Sequence, residues 1–212
     1  MGRTPALILA TVVLAMSACG SGVRDDPADP SGRPGPEATP ATSSPGRVAP
    51  ARRARSAIVA EPPVVATLPS GHKVRVRSVG TTATGLLDVP DDINLAGWWS
   101  GGSRLGDPFG STLVAAHVDS RTQGLGSFAE LLTIPRGARV RLRSAHLTQL
   151  FVVRSRRLVP QGSLARETWL FDVSGERRLT LVTCAPPYDA SRGGYQQLAV
   201  VTALPVSGAE RR

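Results

Sequence analysis

The sequence predicts a mainly β domain, a barrel or a sandwich, carried on an unpacked stalk. Three observations predict it. From about Val64 onward, short runs of β-branched and aliphatic residues alternate with Gly- and Pro-rich turn signals. Two of those runs alternate with period two, Lys73-Val74-Arg75-Val76-Arg77-Ser78-Val79 and Ala138-Arg139-Val140-Arg141-Leu142-Arg143, so that basic side chains share one face and apolar ones the other. Helical periodicity is scarce, with one short turn or helix expected between Leu125 and Leu132.

Residues 1–19 read as an export signal. Arg3 supplies a short positive start, and Ala6 to Met16 form an apolar run too short to span a bilayer comfortably, since spanning needs about 20 apolar residues. The run ends in Ser17-Ala18-Cys19-Gly20, which resembles a bacterial lipobox, with Met16 where Leu is commonest. That resemblance implies cleavage before Cys19 and lipidation of its thiol. An ordinary signal peptide and an uncleaved signal-anchor are the alternatives. All three put the remainder outside the cytoplasm, anchored on the outer face of the membrane in the lipidated case.

Residues 20–63 are predicted to be a disordered tether. Nine prolines, from Pro27 to Pro63, lie among Gly, Ser, Ala and Thr with no apolar periodicity, so the segment cannot bury enough surface to offset the entropy of ordering. As a flexible coil it spans on the order of 35 Å. Residues 64–212 are the folded domain. Its strand sequence begins with the alternating run at Lys73. Thr112 to Ala116 follows as a buried strand, then the run at Ala138. Leu150 to Val153 and Leu179 to Thr183 are more uniformly apolar strands, and Gln197 to Leu204 closes the domain.

Hydrophobic residues make up 41% of the 212 and aromatics only 4%, so the core must be built from Val, Leu, Ile and Ala. The net charge is +9, carried almost wholly by arginine, Lys73 being the sole lysine. Such a balance suits nucleic acid, anionic lipid or an anionic wall, or simply reflects solvated faces. Nucleic acid is set aside, because neither a groove-reading helix motif nor a zinc spacing is present and few aromatics are available to stack on bases.

The chemistry centres on Cys184, which follows the run Leu179 to Thr183 and precedes Ala185-Pro186-Pro187. A strand end fixes the backbone while the side chain meets a cleft, and the prolines are expected to stop the ladder there. A lone Cys in such a place is more often a small buried hydrophobe than a nucleophile. A thiol of pKa about 8.5 needs a proton acceptor or a cation to react at neutral pH. Of the three histidines, His72 and His146 sit in turn-like segments, while His117 ends the Thr112–Ala116 strand and is the candidate base. Arg192 lies eight residues after Cys184, before the last strand, where a guanidinium offers fixed donors to a developing oxyanion. Arg177 and Arg178, close upstream, are the alternative cations.

These residues resemble a family. Thr180-Leu181-Val182-Thr183-Cys184 matches in full the Thr-Leu-x-Thr-Cys signature of sortases, and a His strand upstream with an Arg downstream follows the sortase order. Leu86-Leu87-Asp88-Val89-Pro90, Gly97-Trp98-Trp99, the stretch from Gly106 to Asp119, and Gly126-Ser127-Phe128-Ala129-Glu130-Leu131 resemble the actinobacterial class E and F members. The resemblance covers roughly Val64 to Leu204. It implies an eight-stranded β-barrel with short helices or turns. It implies a cysteine transpeptidase that cleaves a Leu-Pro-x-Thr-Gly-like sorting signal between Thr and Gly. Cys184 then forms the thioacyl enzyme, His117 acts as general acid and base, and Arg192 holds the oxyanion and substrate. The partners implied are the sorting signal of secreted surface proteins and an acceptor amine from a peptidoglycan precursor or a pilin lysine, and no cofactor or metal is required.

The chain departs from the family at three places. Ala116 replaces the usual Gly before the His, Ala185 to Asp189 is not the Gly-rich start common in class F, and a lipobox-like signal stands where a transmembrane anchor is usual. Two other readings stay open. One is a thiol peptidase that hydrolyses the signal; the other is a non-catalytic wall-binding lipoprotein stapled by a Cys19–Cys184 disulfide. An L,D-transpeptidase is set aside because its Ser-x-Gly-Cys-type signature is absent.

Overall fold

A computed structural model of the chain describes residues 57–83 and 86–212. The export signal, Cys19, and nearly all of the tether with its Arg52-Arg53-Arg55 cluster lie outside the described residues.

Eight strands close into a mixed barrel. In ring order they are β10 (Gly194–Pro205), β9 (Arg178–Asp189), β4 (Ser111–Ala115), β3 (Leu95–Trp99), β2 (Lys73–Val79), β1 (Val65–Thr67), β7 (Arg139–Arg143) and β8 (Leu147–Pro160), and β8 pairs back onto β10. A short β11 (Glu210–Arg211) adds to β8, and β5 (Asp119–Ser120) with β6 (Gly124–Leu125) forms a separate small hairpin. Pairing is antiparallel except for β2 with β3 and β4 with β9, which are parallel. Short 3-10 turns at Ser127–Leu132, Gln161–Arg166, Thr168–Phe171 and Ala190–Arg192 are the helical elements among the described residues. The expected eight-stranded, mainly β barrel is therefore the observed one.

The period-two alternation of the sequence is what separates inside from outside. On β2 and β7, Val74, Val76, Val140 and Leu142 are buried while Lys73, Arg75, Arg77, Arg139 and Arg141 are exposed. The interior is filled by Leu179, Leu181, Val114, Phe151, Val201 and their neighbours. A second apolar layer lies on the other face of β4, β9 and β10, where Leu113, Ala115, Val182, Leu198 and Val200 pack with Leu170. Burial on both faces explains why Leu179 to Thr183 reads as a continuous run rather than an alternating one.

Two expectations need correction. The prolines after Cys184 interrupt the ladder without ending the strand. Pairing resumes at Tyr188 with Tyr195, across a register shift between Tyr195 and Gln197. Proline cannot donate to the ladder, but β9 has only one partner here, so the lost donors cost little. The packed chain also begins before Val64. Glu61 exchanges two backbone hydrogen bonds with Leu105, and its carboxylate accepts from Ser144 Oγ (2.6 Å) and from the backbone N–H of His146 (2.9 Å). A polar clasp of this kind has no apolar period, so it left no mark on the sequence pattern. These hydrogen bonds, Ser144 first, hold the Glu61 carboxyl down to about 2.

Candidate active site

The segment Thr180 to Cys184 builds the site by alternation. Leu179 and Leu181 point into the barrel, and Val182 and Cys184 belong to the outer apolar layer. The two threonines tie β9 to β4. Thr180 Oγ1 and Ser111 Oγ share a hydrogen bond at 2.7 Å, and Thr183 Oγ1 donates to the Ala116 carbonyl at 2.8 Å. The second bond fastens the peptide immediately before His117.

β4 and β9 run parallel, with Ala115 opposite Val182 as the last register pair, and the Ala116 N–H then donates to the Val182 carbonyl. His117 and Cys184 each lie two positions beyond that pair. Both residues therefore lie just past the end of the β4–β9 ladder, where β4 ends and the edge of β9 opens. Gly126 fixes the other side of His117. A Cβ at Gly126 would stand 2.6 Å from the His117 carbonyl oxygen, and the Gly126 N–H donates to Val118 O, so only glycine permits this close approach.

Cys184 is a free, half-buried thiol. Burial, with a smaller contribution from the Asp119 carboxylate, pushes its pKa up. Both influences favour the neutral thiol over the thiolate. Half-buried Leu87, Val89, Trp99, Trp169 and Phe171 pack on the same apolar layer as Cys184, with Trp99 and Phe171 edge to face at 5.2 Å. These side chains and Cys184 pack against the same buried layer, which forms an apolar wall there. Two open cavities, about 400 Å³ beside Ser100 to Phe109 and about 340 Å³ beside Arg141 and Glu210, are lined by neither Cys184 nor His117.

The structure does not bring Arg192 to the thiol. It sits at the tip of the β9–β10 hairpin, its side chain 69% exposed and its Nε 3.9 Å from Asp189 Oδ2. Five residues of strand, up to about 17 Å, separate Cys184 from the turn. Arg177 and Arg178 are excluded for a different reason. They lie at the opposite end of β9, about 20 Å of strand away. The buried Arg177 guanidinium donates to the carbonyls of Gly110, Arg178 and Arg104, to Thr112 Oγ1 and to Gln149 Oε1, and burial lowers its pKa to about 10. Arg178 pairs with Asp172 at 3.8 Å.

One pair was missed in the sequence. Tyr195 Oη donates to Asp119 Oδ2 at 2.5 Å, joining the β9–β10 hairpin to the β5–β6 hairpin beside Cys184. This hydrogen bond, ahead of burial, raises the Tyr195 phenol to about 12. Asp119 is two residues after His117 and was visible in the motif, but a bond over 76 residues has no local signal. His72 and His146 lie in turns as expected, and His146 Nδ1 is bonded to Glu61 Oε1 at 2.9 Å.

The family model for the sortase domain matches residues 68–206, which is more than half of the chain. The chain belongs to the sortase family. Its fold is similar to sortase A of Listeria monocytogenes (TM-score 0.52, 17% identity, 71% of this chain and 90% of that one). It is also similar to sortase E1 of Streptomyces coelicolor, solved with a tripeptide in its active site (0.54, 14%, 72% and 91%). A pilus-related sortase C of Group B Streptococcus matches at 0.51, 20%, 77% and 77%. These similarities span classes A, E and C at low identity, so they support the fold and leave the class of this sortase undetermined. No curated protein matches the chain. Members of the family are typically cysteine transpeptidases acting on sorting signals outside the cytoplasm.

Proposed function

We propose that this sortase is an extracytoplasmic cysteine transpeptidase with Cys184 as nucleophile and His117 as general acid and base. The observation that supports the reading is a free thiol and a histidine that each lie two positions beyond the last β4–β9 register pair. In the proposed reaction Cys184 Sγ attacks the Thr carbonyl carbon of a Leu-Pro-x-Thr-Gly-like signal, passing its proton to His117. The Thr–Gly bond breaks, His117 returns the proton to the leaving Gly amine, and a thioester remains. An acceptor amine from a peptidoglycan precursor or a pilin lysine then attacks, His117 takes its proton, and the thiol is restored. This acyl transfer balances without a metal or cofactor. The apolar wall of Leu87, Val89, Trp99 and Phe171 suits the Leu-Pro part of such a signal.

Arg192 keeps its proposed place as the substrate-positioning cation only if the hairpin tip moves toward the thiol when peptide binds. The assignment to class E or F rests on the motif likeness in the Leu86–Pro90 and Gly106–Asp119 stretches. The N-terminal lipid anchor at Cys19, with the domain held on the outer membrane face by the Pro-rich segment that precedes Glu61, is part of the same proposal.

The test is acyl-enzyme trapping. The protein is incubated with a set of sorting-signal peptides and examined by mass spectrometry for a thioester at Cys184. Added hydroxylamine or a wall-type amine separates transfer from hydrolysis. The expected result is an adduct that Cys184→Ala loses and that His117→Ala fails to turn over. Wild-type turnover by Cys184→Ala defeats the assignment.

A further inference from the structure

The barrel carries a cationic face that the reaction does not use. β1 lies four strands from β9 in either direction around the ring, so it is diametrically opposite the strand that bears Cys184. On either side of β1 the basic residues fall in register. Lys73 and Arg141 both pair with Thr67, and Arg75 and Arg143 both pair with Val65, placing each couple about 10 Å apart across β1. Arg77 and Arg139 extend the two columns. All but the half-buried Arg143 are exposed. None of the six is in an ion pair within 4.0 Å, the ion pairs of the described residues being Arg104–Asp107, His146–Glu61, Arg178–Asp172 and Arg192–Asp189. Asp92 feels Arg75 and Arg77 at longer range, and Glu210 lies in the groove that Arg141 lines.

We propose that this β2–β1–β7 face docks the domain on an anionic lipid surface and so turns the Cys184 cleft away from it. Two further observations favour a bilayer over a soluble polyanion. The chain enters the domain beside this face, where the Val64 N–H donates to the Arg143 carbonyl and Glu61 clasps the β7–β8 turn. The 56 residues that precede the described chain contain the apolar run Ala6 to Met16, which suits attachment to the same membrane. A face of like charge with no close ion pair among the described residues is repelled by itself and attracted by phosphate headgroups. With the thiol on the opposite side of the barrel, docking leaves the site open to peptide. This inference does not depend on the reaction proposed for Cys184.

The test measures how the full-length protein partitions onto phosphatidylcholine vesicles with and without phosphatidylglycerol. Taking the ratio of the two cancels any contribution of the N-terminal apolar run. One variant combines Arg75→Gln, Arg139→Gln and Arg141→Gln. A second, of equal net charge, combines Arg121→Gln, Arg157→Gln and Arg166→Gln. Each basic side chain at an anionic surface is worth about fivefold in partitioning, so the first variant is expected to lose the phosphatidylglycerol preference by about a hundredfold. The second should lose far less, and salt should weaken the wild-type preference. A triple Arg→Lys variant at positions 75, 139 and 141 keeps the preference, because the attraction is Coulombic, and shows that the fold is not the cause. Equal losses in the two glutamine variants, or no loss in either, overturn the proposal. Tighter binding to soluble poly(glycerol phosphate) than to the vesicles overturns it in favour of a wall polymer.

Discussion

The two halves of β9 have the same strand geometry and opposite surroundings. From Arg178 to Thr183 every residue is buried, and Leu179 to Val182 are paired on both sides, with β4 and with β10. From Cys184 to Asp189 β4 has ended, β10 alone remains, the ladder is interrupted at the prolines, and most side chains are at least partly exposed. The first half is rigid because its backbone and both faces are satisfied. The second half is reactive ground because a partner strand has been withdrawn while the first half still fixes its position. The placement of the proposed nucleophile follows from where β4 stops, and the Thr183 hydroxyl donates to the Ala116 carbonyl at that point.

Substitutions in the two halves of β9 should have opposite consequences. The largest effect is expected in the open half. Cys184→Ala should lower turnover on the order of a thousandfold or more while leaving the unfolding midpoint close to wild type, read by peptide cleavage and urea titration. A large stability loss instead would make Cys184 a packing residue. The buried half should behave in the opposite sense. Arg177→Met strips a guanidinium from several buried acceptors and should cost about 3 kcal/mol of stability by urea unfolding, with residual activity tracking the folded fraction.

Thr183→Val tests the junction. It leaves the buried Ala116 carbonyl without this donor, an expected loss of about 1–2 kcal/mol, and frees His117 to drift, so kcat should fall more than the folded fraction does. Gly126→Ala should act on the same histidine from the other side, by crowding its carbonyl.

The smallest effect concerns pH. The Asp119 carboxylate helps to raise the Cys184 pKa, so Asp119→Asn should move the midpoint of thiol alkylation by iodoacetamide downward and increase the rate at neutral pH by a few-fold. The shift is modest because burial, the larger cause, remains. A raised thiol pKa in the folded state means that its contribution to stability is complete below the ordinary thiol pKa and is lost as pH rises through the folded value. Stability of the wild type should therefore decline more steeply than that of Asp119→Asn above about pH 9.

Much of the barrel was legible in the sequence because a strand with one wet face writes its burial as alternation. Lys73–Val79 and Arg139–Arg143 are observed as read. The run at Leu179 was legible for the opposite reason, since two dry faces leave no polar positions. The site was legible in part. Cys184 and His117 were marked by motif and by strand position, and each lies two positions beyond the last β4–β9 register pair. Arg192 was marked by the family order and by its place between two consecutive strands, and the structure puts it in the β9–β10 turn, where it faces Asp189. Tyr195, Glu61 and Thr183 make their bonds over 76, 83 to 85, and 67 residues, and no window along the chain carries such pairs.

By itself the sequence determined the class of fold, the family signature and the identity of the thiol, because these depend on residue type and short-range period. Tertiary structure decided what surrounds the thiol. Where β4 ends beside β9, which face Cys184 shares with the aromatic wall, and which strand stands opposite it are properties of ring closure. Closure is set by pairing between strands as far apart in sequence as β4 and β9, and local physics does not encode it.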